Sequence, residues 1–329
     1  MVQRPAGPAG AEARSLAWIG GATILQVTAG SRGALDGIRR LVMSKKVTAP
    51  VVAARKVRSG SDPLVMVTAY DAPSARIADE AGVDLILVGD SVAMVVLGYD
   101  DTLQVTVDDM AHHTAAVARA QPTPMIVGDL PWMSYHVSTE ETVRNAATLV
   151  RAGAQAVKLE GGRKRVPMVE ALVDAEIPVM GHIGLTPQSV HAMGGFRVQG
   201  RQHGAALALV DDAKSLVAAG CFAVVLEGVP DEVARLVTES IDVPTIGIGA
   251  GRHCDGQVLV FHDLLGIEDR ILPKFVRRYA SLKADAVDAM KTFADDVRVG
   301  RFPSEDETYH LSDEVTESLG LYGAPSKTA

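Results

Sequence analysis

The chain has 329 residues, 47% of them hydrophobic, enough for one large domain or two ordinary ones around a sizeable core. A net charge of −8, with 32 Lys and Arg and no basic stripe, makes nucleic acid and anionic membrane poor partners. The two cysteines, Cys221 and Cys254, are far apart and in no CxxC spacing, which suits a reducing cytoplasm and argues against a disulfide framework or a thiolate zinc site.

Residues 1 to about 57 read as a poorly ordered extension, with Pro/Gly/Ala-rich stretches such as "RPAGPAG". The segment "SLAWIGGATILQV" is like the apolar part of a signal peptide, but only Arg4 and Arg14 precede it, and it is too short to span a bilayer. The blander account is a loosely ordered extension or an upstream start codon, with Met43 in "MSKKVTAP" as the alternative beginning.

From residue 64 a regular alternation sets in. "LVMVTAYD" ends at Asp71, "LILVGD" at Asp90, "PMIVGD" at Asp129 and "AVKLE" at Glu160. "VMGHIG" passes through His182, "AVVLEG" closes on Glu227, "PTIGIGAG" ends in glycines, and "QVLVFHD" ends at Asp263. Short runs of Val, Ile and Leu suit strands buried on both faces, as in a parallel sheet. Amphipathic stretches lie between several of them. "APSARIADEAG" stops at Gly82, and "TVDDMAHHTAAVARA" starts from Thr106 as N-cap. "STEETVRNAATLVRAG" opens with Ser138 and Glu141 in capping-box spacing and closes at Gly153. About eight such repeats predict an α/β fold, a (β/α)₈ TIM barrel over 58–310, with a flexible tail over 311–329. A doubly wound open sheet is the alternative, but no GxGxxG opens the first helix.

In such a barrel the C-terminal strand ends converge on one rim, where the chemistry is kept. Asp90, Asp129 and Glu160 close three neighbouring strands, and three carboxylates together repel unless a cation or protons neutralise them. Hard oxygen donors favour magnesium or a similar divalent ion. The blander reading is that each acid caps the next helix or pairs with a lysine. Lys158 lies two residues before Glu160, on the same strand face. It is expected to bind a substrate carboxylate or a developing oxyanion, with a Schiff-base lysine and a plain ion pair as the competing readings. Glu227, expected across the rim from the three acids, is a candidate general base or a helix cap. His182 is a candidate substrate contact. His112 and His113 are consecutive in a helix and make a poor metal pair. "GIGAG" at 247–251 is either a phosphate cradle or a tight turn. The loop 184–201, with Gly194 and Gly195, has the length and composition of a lid.

The blocks "VTAYD", "VGDS", "DLPWMSY", "VKLEGG", "GHIGLTPQSV", "GGFRVQGR", "GIGAG" and "CDGQVLVFHD" together resemble the ketopantoate hydroxymethyltransferase family, in order, from about residue 60 to about 310. The resemblance implies a barrel of the phosphoenolpyruvate/pyruvate superfamily, a cytoplasmic homodecamer acting on small molecules at the first committed step of pantothenate synthesis. It implies one Mg²⁺ per subunit on Asp90, Asp129 and Glu160, the last through water. It also implies substrate contacts at Asp90, Ser91, Asp129, Lys158 and His182, a proton acceptor at Glu227, and 5,10-methylenetetrahydrofolate as cosubstrate. The chain departs from the family pattern at Ala93, where a glycine is usual, and at Gln202-His203-Gly204, at the end of the lid.

Overall fold

The computed structural model describes residues 46–269 and 273–320. The chain divides into two units, Met1–Lys46 and Val47–Ala329. The first lies outside the described residues apart from Lys46, and so do Met43 and the expected extension over 1–45.

Eight strands make the second unit a closed parallel barrel in chain order: β1 (Leu64–Thr68), β2 (Leu85–Val88), β3 (Met125–Asp129), β4 (Ala156–Glu160), β5 (Val179–Gly184), β6 (Ala223–Glu227), β7 (Thr245–Ile248) and β8 (Gly256–Leu259). The expected (β/α)₈ fold is the one observed, and β1 closes on β8 with Leu64 opposite Gly256. Both strand faces are apolar, and each serves a different layer. Leu85, Leu87, Met125, Val127, Met180 and Val225 fill the barrel. Their alternates Ile86, Val88, Ile126 and Val224 pack outward on the helices.

The helices begin and end where local chemistry dictates. α1 (Ala49–Ala53) precedes the barrel; α2 (Ala72–Ala81) is capped by Asp71, whose carboxylate accepts from Ser74 N at 2.8 Å. Asp71 is thus a cap, the bland role weighed for every strand-end acid. α3 (Val92–Val95) is a single turn after β2. α4 (Val107–Arg119) starts from Thr106, which shares a reciprocal capping box with Asp109. α5 (Thr139–Ala152) starts from Ser138, which accepts from Glu141 N at 3.1 Å. The full capping box expected there is not formed, because the return bond from Glu141 is missing. Gly153 ends α5 at φ 115°, and a Cβ there would collide with Ala118 on α4, so both conformation and packing require glycine. α6 (Val166–Asp174), α7 (Val190–Met193), α8 (His203–Ala218), α9 (Asp231–Ser240) and α10 (Phe261–Leu265) follow. His262 and Asp263, read from sequence as the end of the eighth strand, lie in α10.

Two boundaries differ from the sequence reading. Residues 47–57, placed in the extension, belong to the barrel unit. Ala49 and Val52 of α1 join the cluster that fills the barrel, and Val52 is fully buried. Lys56 lies at the N-terminal end of the barrel, where Nζ meets Asp255 Oδ2 at 2.7 Å and donates to Thr238 O at 2.9 Å. Beyond the barrel, α11 (Leu282–Arg298) has no buried residue. α12 (Asp313–Ser318) is a short exposed helix within the expected tail.

Candidate active site

The barrel register sets the acids side by side. Asp129 stands opposite Lys158 across β3 and β4, and Glu160 stands opposite His182 across β4 and β5. Asp90 follows β2 directly, and its N–H donates to Asp129 Oδ2 at 3.2 Å. Asp90, Asp129, Lys158, Glu160 and His182 are all buried, none more than 5% exposed. Lys158 and Glu160 share the inward face, as period-two alternation requires. Lys158 Nζ lies 2.9 Å from Asp129 Oδ1 and 3.8 Å from Glu160 Oε1.

Burial, then the charges of Asp129 and Glu160, push the Asp90 carboxyl well above the usual carboxylate range. Burial raises Asp129 too, with Lys158 working against it. Burial also works against Glu160, but His182, Lys158 and the Gln188 N–H outweigh it and hold this carboxylate below its usual range. Burial disfavours a charged Lys158, yet Asp129, Glu160 and Asp90 prevail and hold the ammonium above its usual range. A Schiff-base lysine needs the opposite shift.

His182 connects two acids. Nδ1 is 3.4 Å from Glu160 Oε1, and Nε2 is 3.3 Å from Glu227 Oε2. Against burial and Lys158, the two glutamates draw a second proton to the ring and lift it to about 9. That proton would sit on Nδ1, 3.2 Å from the Lys158 ammonium. With that proton in place Nδ1–H faces Glu160 and Nε2–H faces Glu227, and the neighbouring Lys158 ammonium is the charge that opposes it. Glu227 is therefore one imidazole away from Glu160, not across the rim as the sequence reading has it. The reason is the barrel order: β4, β5 and β6 are successive neighbours, and Gly184 stands opposite Glu227.

Ser91 follows Asp90, and its Oγ lies 2.9 Å from the hydroxyl of buried Tyr70. His112 and His113 stand edge to face, and His113 Nδ1 bonds Tyr70 O at 2.7 Å, a structural contact. The "GIGAG" segment behaves as a turn: Asp231 Oδ1 accepts from Arg252 N at 2.9 Å, placing a carboxylate where a phosphate cradle needs none. The loop 184–201 carries a 3₁₀ turn (Pro187–Ser189) and α7, then Gly194 and Gly195 at positive φ.

Two buried residues at the acids were not singled out from sequence. Gln188 donates through Nε2 to Asp90 Oδ2 at 2.9 Å, and Tyr135 donates its hydroxyl to Gln188 Oε1 at 2.6 Å. The available signal was Pro187, which bends the chain back over the rim just after β5.

The set fits a divalent cation that keeps open positions. Three buried carboxylates share one lysine, and the two left most undercompensated are Asp90 and Asp129. Glu160 is already engaged by Lys158, His182 and Gln188. Among the described residues no three His, Cys, Asp or Glu side chains enclose a cation by themselves. Two carboxylates completed by water and substrate oxygens are the ordinary arrangement for magnesium.

The sequence model of the family described as Ketopantoate hydroxymethyltransferase matches residues 46–305. The chain belongs to that family. It is 53% identical over 275 residues to the 3-methyl-2-oxobutanoate hydroxymethyltransferase of Syntrophomonas wolfei, covering 83% of this chain and 99% of the relative. It is 57% identical over 261 residues to the enzyme of that name from Ignicoccus hospitalis, covering 79% and 98%. Among solved structures, phosphonopyruvate hydrolase superposes with a TM-score of 0.54 at 13% identity, over 84% of this chain and 95% of that one. A 2,3-dimethylmalate lyase, a member of the PEP mutase/isocitrate lyase superfamily, superposes with 0.51 at 19% identity, over 84% and 95%. These two likenesses bear on the fold of this ketopantoate hydroxymethyltransferase family member alone.

Proposed function

We propose that the chain transfers a hydroxymethyl group from 5,10-methylenetetrahydrofolate to 3-methyl-2-oxobutanoate, giving 2-dehydropantoate and tetrahydrofolate in the first step of pantothenate synthesis. The observation that carries this reading is the buried Asp90–Asp129–Glu160 set with Lys158, one imidazole from Glu227. Magnesium on Asp90 and Asp129, with Glu160 reaching it through water, would supply a Lewis acid for the carboxylate and keto oxygens of the oxo acid.

The chain's own residues do the rest. Glu227, with a side chain 16% exposed, is the one acid of the group open enough to meet a C3 proton. His182, protonated at Nε2, orients it. Lys158 is held charged and offers that charge to the oxygen on which negative charge develops. Ser91, positioned by Tyr70, contacts the substrate. Both C–N bonds of the folate methylene break as its carbon takes a new bond from C3 and the hydroxyl oxygen from water. The C3 proton taken by Glu227 and one proton of that water end on the two nitrogens of the departing tetrahydrofolate. The loop 184–201 closes over the pair.

We also infer a cytoplasmic homo-oligomer, a decamer as in the family resemblance. Support comes from two free buried thiols, Cys221 and Cys254, and from the exposed apolar face of α11. The test is direct: 3-methyl-2-oxobutanoate, methylenetetrahydrofolate and magnesium should give 2-dehydropantoate, and a chelator should stop it. Turnover that is indifferent to chelator would remove the cation from the mechanism. Absence of product with all three present would remove the reaction.

A further inference from the structure

Gln188 turns its side-chain amide and its backbone N–H on the acids and their supports. The residue is 4% exposed and sits in the 3₁₀ turn at the root of the loop 184–201. Nε2 donates to Asp90 Oδ2 at 2.9 Å and to Leu130 O at 3.0 Å. Oε1 accepts from Tyr135 at 2.6 Å. Two acceptors on the nitrogen and a donor on the oxygen leave only one orientation for the amide. The backbone N–H of Gln188 donates to Glu160 Oε2 at 3.1 Å. Tyr135 closes the circuit, because its hydroxyl oxygen accepts from Glu160 N at 3.1 Å. One residue thus holds an oxygen of Asp90, after β2, and an oxygen of Glu160, at the end of β4. Lys158 links Asp129 to Glu160 but makes no hydrogen bond to Asp90 among the described residues.

We propose that Gln188 is a positioning residue of the cation site, fixing the Asp90 carboxylate through Oδ2 so that Oδ1 is left to coordinate, and anchoring the root of the lid on the same acids. This rests on the divalent-cation reading above. A carboxylate that must compete for its orientation loses affinity for a metal, and removing an outer partner of a ligand typically costs 10- to 100-fold. The anchoring is confined to the root of the loop: Phe196 and Val198, further along, are 53% and 52% exposed.

The experiment measures manganese binding by calorimetry, in the full chain, without either substrate, together with the melting temperature of the metal-free protein. Gln188→Met keeps the length of the side chain and removes all three side-chain hydrogen bonds. It should raise the manganese Kd roughly 10- to 100-fold. Tyr135→Phe removes the donor that orients the amide, and with it the acceptor of Glu160 N, but leaves the Gln188 bonds to Asp90 and Leu130. It should move Kd the same way by less and carries the test if Gln188→Met does not fold. A purely structural Gln188 would lower the metal-free melting temperature and leave Kd at the wild-type value, and that result overturns the proposal. Wild-type protein that binds no manganese is a separate outcome: it overturns the cation site itself, and the role of Gln188 with it.

Discussion

Glu227 and His136 illustrate how position sets what a titratable side chain can do. Glu227 closes β6 beside the His182 imidazole. Proton removal from C3 needs the oxo acid, the cation and a base, but no folate. Glu227→Gln should therefore still bind the oxo acid, yet exchange its C3 hydrogen with solvent deuterium roughly 100-fold more slowly, followed by proton NMR. Exchange at the wild-type rate would remove Glu227 from the proton transfer and leave it a folate contact, since the following helix has its N-cap at Pro230 without it. His136, half-buried after β3, is a different case. Burial, with Arg165 beside it, pushes its pKa from 6.5 down to about 4. Between those values the unfolded chain takes up a proton that the folded one refuses, so His136 lowers stability progressively as pH falls from 6.5 to 4. His136→Gln cannot take that proton, and its melting temperature should fall less than the wild type's over this window. Parallel curves would show that His136 does not titrate with folding. At this scale the sequence was legible wherever a residue type contradicted its surroundings. Asp90, Asp129, Glu160 and Glu227 each close an apolar run; one such acid can be a cap, as Asp71 is, but acids on successive strand ends of one rim point to a site. Gln188 and Tyr135 gave no such contradiction, because a polar residue in a loop is ordinary until the loop folds back.

The strands and most helices follow from periodicity, since runs such as Leu85–Val88 satisfy both faces of a parallel sheet and Thr106 and Ser138 mark helix starts. The five residues of α1 are too few to show a helical period, and this is why residues 47–57 read as extension. Their importance lies in tertiary contacts. Val52 fills the barrel, and Lys56 is bound to Asp255, itself 1% exposed. Asp255 also accepts from Val57 N and Thr245 N, each at 2.9 Å, so this one carboxylate ties the segment before β1 to the start of β7. Removing the ammonium leaves a buried carboxylate without its counter-charge, a change that costs about 3–5 kcal/mol in comparable pairs. Lys56→Met should lose stability on that scale in urea denaturation. Manganese affinity in the protein that remains folded should be unchanged, because the pair lies at the end of the barrel opposite the rim. A loss below about 1 kcal/mol would mean that the hydrogen bonds to Asp255 suffice without the ammonium.

The amphipathic pattern of residues 282–298 predicts a helix but not what covers it, since the same sequence serves whether the apolar stripe meets its own barrel or a second copy. In the structure α11 buries nothing. Val287, Met290, Phe293 and Val297 recur at the spacing of one helical face and are 44%, 69%, 51% and 48% exposed. On the barrel itself Val65 of β1 is 51% exposed, at a place in the closed sheet where a helix would normally lie. A bare apolar helix face and an exposed valine on the barrel wall are two apolar patches on one chain, and a second copy can cover both at once. Met290 is the most exposed residue of the stripe and touches none of the acids at the rim. Met290→Glu places a charge on each copy of the contact. Light scattering on the eluting protein should show a smaller assembly than the wild type at the same micromolar concentration, while the far-UV spectrum of the barrel is retained. An unchanged mass would show that α11 is covered in some other way, and the surface joining the subunits would have to lie elsewhere on the barrel.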